Sequence, residues 1–325
     1  MHFRTPIVPP AYPFRLGLHD PVLSFGSCFA LSMGEFLAKN RFSVLCNPFG
    51  TLFHPLIIWR RLWPGEEIPA PHRFVQRDGL WFHYDYHSSL WGKSQAELSG
   101  KIQAQHRRVE AFLKKSRLLI LTLGSAWAYR WRHDGQLVAN NHKQAAAEFE
   151  KVLSSPEAIE QAFGEWHDKM LSHYPQLHFL LTVSPVRHLR DTLPLSQVSK
   201  SVLRYAVHNL VSTYDKTYYF PAYEMLLDDL RDYRFYEADM LHPNQTAQAY
   251  ISHHFGQALL DTEAQAWLRE WQAWLSAWSH RALHPDSEAH QAFQRQTQAR
   301  KVALLAKYGL PEEEEGETGG TAYFF

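Results

Sequence analysis

Cysteine is almost missing from this chain: two residues, Cys28 and Cys46, occur in 325. Both fall in apolar stretches, where a thiol acts as a small buried hydrophobe, so no disulfide framework is expected. Net charge is missing as well. Lysine plus arginine and aspartate plus glutamate each number 33, which leaves no global field to draw in nucleic acid or an anionic membrane. No uncharged apolar run is long enough to span a bilayer, and Met1–Pro6 lacks the basic and apolar regions of a signal peptide. These absences predict a cytoplasmic protein with neither nucleic-acid nor membrane partners. At 45% apolar residues a disordered chain is excluded too, and the length suffices for a substantial core.

Aromatic and imidazole side chains, by contrast, are plentiful, with 11 tryptophans, 15 tyrosines and 20 histidines. Short apolar runs alternate with longer amphipathic stretches, the rhythm of strand-helix units around a mostly parallel sheet. Five core strands are predicted at 22–25, 42–46, 117–123, 178–183 and 217–220. Helices are predicted at 29–39, 54–62, 94–115, 144–172, 194–214 and 243–260. The dipeptides Asp78-Gly79 and Asp134-Gly135 separate alternating runs and predict hairpins inserted beside the sheet. Residues 1–260 read as one main domain and 261–310 as a helical extension. In that extension Trp267, Trp271, Trp274 and Trp278 share a helical face, to be packed on the main body, on a paired helix or on a second copy in a homodimer. The acidic, glycine-rich stretch 311–325 reads as a disordered tail.

Two segments carry chemistry. Leu23-Ser24-Phe25-Gly26-Ser27 ends an apolar run in a hydroxyl at the start of a helix, and Asp239-Met240-Leu241-His242-Pro243 sets a carboxylate and an imidazole three positions apart ahead of another. A serine becomes nucleophilic when a base takes its proton and a third group fixes that base. Ser27, His242 and Asp239 supply those roles. Unpaired N–H groups at the helix start after Ser27 would meet an oxyanion. Taken singly, Ser27 reads as an ordinary N-cap and Asp239–Pro243 as a capped helix start; the case for catalysis rests on their joint occurrence.

Phe25-Gly26-Ser27-Cys28-Phe29-Ala30 resembles the signature that names the GSCFA family, a branch of the SGNH/GDSL-type hydrolases. Asn47–Leu52, Leu123–Trp127, Thr182–His188 and Asp239–Asn244 resemble further family segments in family order, from about residue 20 to residue 260. The resemblance implies a flavodoxin-like three-layer α/β/α sandwich. Its mostly parallel five-stranded sheet would carry the inserted hairpins and the C-terminal helical extension. It also implies Ser27 as nucleophile with Asp239 and His242 completing a triad, and Gly50 as an oxyanion donor beside the Ser27 N–H. Where typical SGNH enzymes carry an asparagine after the third strand, this chain reads Gly124-Ser125-Ala126-Trp127. Ser125, in its backbone or hydroxyl, and the Asn47 side chain stand in as donors, with Gly124 lining the pocket.

His83, Asp85 and His87 alternate along a hairpin strand and so point to one face, which suits substrate contact or hairpin packing better than a metal. His188 is the rival base, and Asn140-Asn141-His142-Lys143 forms a polar loop near the same edge. The expectation is an SGNH-type serine esterase or deacylase, without cofactor or metal, that removes an O-acyl group, such as O-acetyl, from a small-molecule or carbohydrate ester. An O-acyltransferase on a carbohydrate and a non-catalytic binding module of the same fold are the alternatives.

Overall fold

The computed structural model describes residues 4–63, 65 and 70–312. Residues 313–325, which hold most of the expected tail, lie outside them. In chain order the elements are β1 (Val22–Gly26), α1 (Cys28–Lys39), β2 (Val44–Cys46), α2 (Pro55–Arg61), β3 (Phe74–Arg77), β4 (Leu80–His83), α3 (Gln95–Leu113) and β5 (Leu118–Leu123). Then come β6 (Trp127–Trp131), β7 (Leu137–Val138), β8 (Phe149–Leu153), α4 (Pro156–His173), β9 (His178–Val183), α5 (Leu193–Thr213) and β10 (Thr217–Tyr219). The chain closes with a short α6 (Ala222–Glu224), α7 (Gln245–Leu259), α8 (Thr262–Trp278) and α9 (Glu288–Lys307).

The five predicted core strands form one parallel sheet in the order β2-β1-β5-β9-β10. Taken as the first to fifth core strands, that order is 2-1-3-4-5, the flavodoxin-like arrangement, and its switch point lies between β1 and β5. Strand side chains alternate between two buried faces. Leu23, Phe25, Leu119, Leu121, Phe179 and Leu181 point into one core, with residues of α2, α3, α4 and α5. Val22, Val44, Leu118, Ile120 and Leu180 point into the other, with α1, α7, α8 and α9. The result is the expected α/β/α sandwich.

One predicted helix is too long. Within 144–172 only Pro156–His173 is helical; Ala146–Glu148 forms a 3₁₀ turn, and β8 pairs antiparallel with β6 over Trp127↔Leu153 to Trp131↔Phe149. Ser155 marks the true start: its Oγ accepts from the Ala158 N–H, and Pro156 fills the first helical position, where no N–H is needed. The two hairpins form as expected, β3–β4 across Asp78-Gly79 and β6–β7 across Asp134-Gly135, and β8 widens the second into a three-stranded wall.

Trp267, Trp271 and Trp274 turn inward onto the main body and α9. The indole N–H groups of Trp267 and Trp271 donate to the Asn40 and Lys39 carbonyls at 2.8 and 3.0 Å, and those carbonyls end α1, where helical acceptors lack partners. Cys28 and Cys46 are free thiols.

Candidate functional site

β1 ends at the sheet's switch point. Gly26 takes φ +139°, and a Cβ there would lie 2.2 Å from the Thr122 carbonyl oxygen, so only glycine fits between β1 and β5. Ser27 follows as the N-cap of α1, its Oγ accepting from the Phe29 N–H at 3.3 Å, and it is fully buried. Gly124 presses against it, since a Cβ there would sit 3.1 Å from the Ser27 Cβ and 2.7 Å from Phe53 Cδ1.

Backbone donors expected to face an oxyanion are largely engaged within the protein. Ser27 N–H donates to Thr122 O at 2.9 Å and Gly50 N–H to Asn47 O at 2.8 Å, while Gly124 and Ser125 both donate to Phe53 O. Ser125 Oγ accepts from Trp127 N–H at 3.0 Å and lies 3.3 Å from Ser199 Oγ. Asn47 differs. At φ +40° its Oδ1 accepts at 2.8 Å from the N–H of Gly26, the residue before Ser27, and its Nδ2 is buried without a hydrogen-bond partner.

The 235–244 segment holds a second constellation. Asp239 Oδ1 accepts the N–H groups of Leu241 and His242 at 2.8 and 3.0 Å, and Oδ2 lies 2.6 Å from His242 Nδ1. Met240 makes this possible by taking φ +59°. The His242 backbone N–H, its ring and the Leu241 N–H together hold the Asp239 carboxyl down to about 2. Among the described residues no hydrogen bond joins His242 to Ser27; the imidazole is half exposed while Ser27 is closed over. The rival base, His188, sets its ring edge-on to Phe53 at 5.3 Å, and its Nε2 is buried without a partner. Burial, with the Lys200 charge, pushes that imidazole down to about 4.

Asn244 anchors this loop to α7. Its Oδ1 accepts from Ala247 N–H, its Nδ2 donates to Arg234 O at 2.7 Å, and its backbone N–H donates to Phe235 O. Asn244→Ala should therefore lower stability by about 1–2 kcal/mol, read by urea unfolding. A loss below about 0.3 kcal/mol would mean that the loop is held elsewhere.

The GSCFA family model matches residues 21–255, more than two thirds of the chain and all the segments just described. The chain belongs to the GSCFA family. No curated protein matches this GSCFA chain. Solved structures to which it is similar include a carbohydrate esterase family 2 enzyme with a carbohydrate binding domain from Corynascus thermopiles (Myceliophthora fergusii), at 16% identity and a TM-score of 0.37 over 80% of this chain and 69% of that one. A family two carbohydrate esterase from Clostridium thermocellum follows, at 12% identity and a TM-score of 0.35 over 74% and 64% of the two chains. An acetyl xylan esterase from Butyrivibrio proteoclasticus matches at 12% identity and a TM-score of 0.33 over 76% and 63%.

The GSCFA chain holds a cavity of about 460 Å³ whose lining includes Ser125 and Phe53, against which Gly124 packs, but neither Ser27 nor His242. Ser125, His188 and Leu241, the neighbour of His242, form part of its wall; Trp127, Tyr129 and Asn140 line the hairpin side. Asp85, expected to contact substrate, turns elsewhere: β4 stops at His83, the alternation ends with it, and the Asp85 carboxylate is buried against Arg60, Arg61 and Arg73. His83 lies within the same cluster, its Nδ1 accepting from the Asp85 N–H at 3.2 Å. His87 backs Gly50, its Cβ 2.4 Å from where a Gly50 Cβ would be, and its Nδ1 meets Ser89 Oγ. Gly50 must be glycine for that contact and for its φ of +77°, but its N–H is spent in the turn. Among the described residues no group of three or more His, Cys, Asp or Glu side chains could hold a metal ion.

Proposed function

We propose that this GSCFA chain is an SGNH-type serine hydrolase, an esterase or deacylase that removes an O-acyl group through Ser27, His242 and Asp239. The observation that carries the reading is the Asp239–His242 pair, with its 2.6 Å contact and two backbone N–H groups on the same carboxylate. A carboxylate this acidic stays ionised across the working pH range. It holds the ring proton on Nδ1 and leaves Nε2 as the acceptor. The close approach at Gly26, which brings Ser27 to the switch point of the sheet, supports the nucleophile.

In the proposed route His242 takes the Ser27 Oγ proton as Oγ adds to the acyl carbon. The tetrahedral oxyanion collapses to an acyl-enzyme with the alcohol taking the proton from His242, and water releases the acid by the same sequence. The unpartnered Nδ2 of Asn47 is the donor best suited to the oxyanion, replacing the Gly50 N–H in that role. Because Ser27 is covered and lacks a bond to His242, the 235–244 loop and the Phe53–His188 cover must shift as substrate enters. The cavity, with Trp127, Tyr129 and Asn140, suits a polar ring alcohol such as a sugar.

A fluorophosphonate probe tests this directly. Mass spectrometry of the digested wild-type protein should find the adduct on Ser27, and a short-chain p-nitrophenyl ester should turn over. If neither happens, the chain is a binding module and the hydrolase reading fails.

A further inference from the structure

One lysine of α5 is buried in the body of the protein. Lys200 is 3% exposed, and its Nζ donates to the carbonyl oxygens of Gly124 and Ser184, each at 2.7 Å. Those carbonyls follow directly on β5 and β9, at the edge of the sheet where Ser27 follows β1. Among the described residues no carboxylate forms an ion pair with Lys200. Burying an ammonium without a counter-ion costs several kcal/mol, and a methionine of similar length would fill the space without that cost. Packing alone gives no reason for a lysine here.

The surroundings say what the charge acts on. From α1 the Cys28 thiol faces Lys200, and from the 184–192 segment His188 does; the β5 edge brings Gly124 and the Ser125 hydroxyl. On its own helix Ser199 bonds Ala126 N–H, and Arg204 is engaged by Glu224 at 2.6 Å. Burial pushes the Cys28 thiol up and the His188 imidazole down, so both are neutral near pH 7. Lys200 is then the one uncompensated charge among these groups. Gly124, whose carbonyl it holds, is also the residue that packs on Ser27.

We propose that Lys200 is a positioning residue for Ser27: its ammonium fixes the Gly124 and Ser184 carbonyls away from the nucleophile, and its charge stabilises the oxyanion formed there. The inference rests on the reading of Ser27 as nucleophile. Burial, only partly opposed by Cys28, pushes the Lys200 amine down to about 7, so the positive form is present below that pH and lost above it. Activity should fall on the alkaline side as Lys200 deprotonates.

The test is the rate of fluorophosphonate labelling from about pH 5 to 10. Wild-type protein should slow about tenfold between pH 7 and pH 9. Folded Lys200→Met should label about 10–100-fold more slowly near pH 6.5 and lack the alkaline fall. Lys200→Arg, which keeps its charge at every pH tested, should recover part of the rate and also lack the fall. A flat alkaline profile in the wild type overturns the proposal, as does a folded Lys200→Met that keeps both rate and fall. Should Lys200→Met not fold, the wild-type profile decides alone. If the wild type is not labelled at any pH, the Ser27 reading fails and this inference with it.

Discussion

Ser27→Ala and His242→Ala should each lower kcat on a p-nitrophenyl ester by about 10⁴-fold or more, and the double variant should be no worse than either single one. A nucleophile without its base and a base without its nucleophile are equally idle, so the losses do not add. The fold gives little reason for another outcome. Ser27→Ala forfeits an N-cap bond of 3.3 Å, worth about 1 kcal/mol, and His242 is half exposed with its ring bonded to Asp239 alone. Thermal melts of both variants should therefore stay close to wild type while turnover disappears. If Ser27→Ala loses turnover and His242→Ala keeps it, the base lies elsewhere. His188, half-buried with a buried and unpartnered Nε2, then takes the role.

The sheet was legible because its strands are apolar runs that end in turn formers, and period-two burial on both faces leaves such runs few other fates. Gly26-Ser27 was legible for a related reason: a close strand-to-strand approach demands glycine before the hydroxyl. Asp239 and His242 could be paired from a spacing of three residues, which a local turn satisfies. What escaped depended on contacts distant in sequence. β8 was read into a helix because Gln144–Ser172 is amphipathic throughout, and only pairing with β6 selects the strand. Gly50 and Ser125 looked like oxyanion donors by position, yet Asn47 O and Phe53 O take their N–H groups, the first in a turn begun by a left-handed Asn47 that no spacing announces. Lys200 gave no signal at all, since one lysine in an amphipathic helix reads as a solvated residue until the helix is docked.

Asp85 shows the same distance effect, and it supplies the largest expected change in stability. Asp85→Ala should cost about 3–5 kcal/mol at pH 7, the range found when one partner of a buried ion pair is removed. The carboxylate is 5% exposed, with Arg73 at 2.8 Å, Arg60 at 2.9 Å and Arg61 at 3.6 Å. Arg60 and Arg73 also donate to the Leu137 carbonyl, and Arg73 reaches Asp134, so the cluster ties α2 to both inserted hairpins. Without Asp85 these guanidinium groups would lose the carboxylate they share. Burial pushes the Asp85 carboxyl up, but Arg61, Arg60 and Arg73 outweigh it and the net shift is downward from 3.8. A depressed carboxyl contributes stability above its unfolded pKa and loses it as pH falls through its folded one. The gap between wild type and Asp85→Ala in urea unfolding should thus be full at pH 7 and shrink below about pH 4. The difference between the two proteins is the quantity to follow, because His83, held neutral by burial with its imidazole down to about 4, weakens the fold in acid as well. A gap below about 1 kcal/mol at pH 7, or one that does not narrow in acid, would show that the arginines are solvated well enough to stand without their carboxylate.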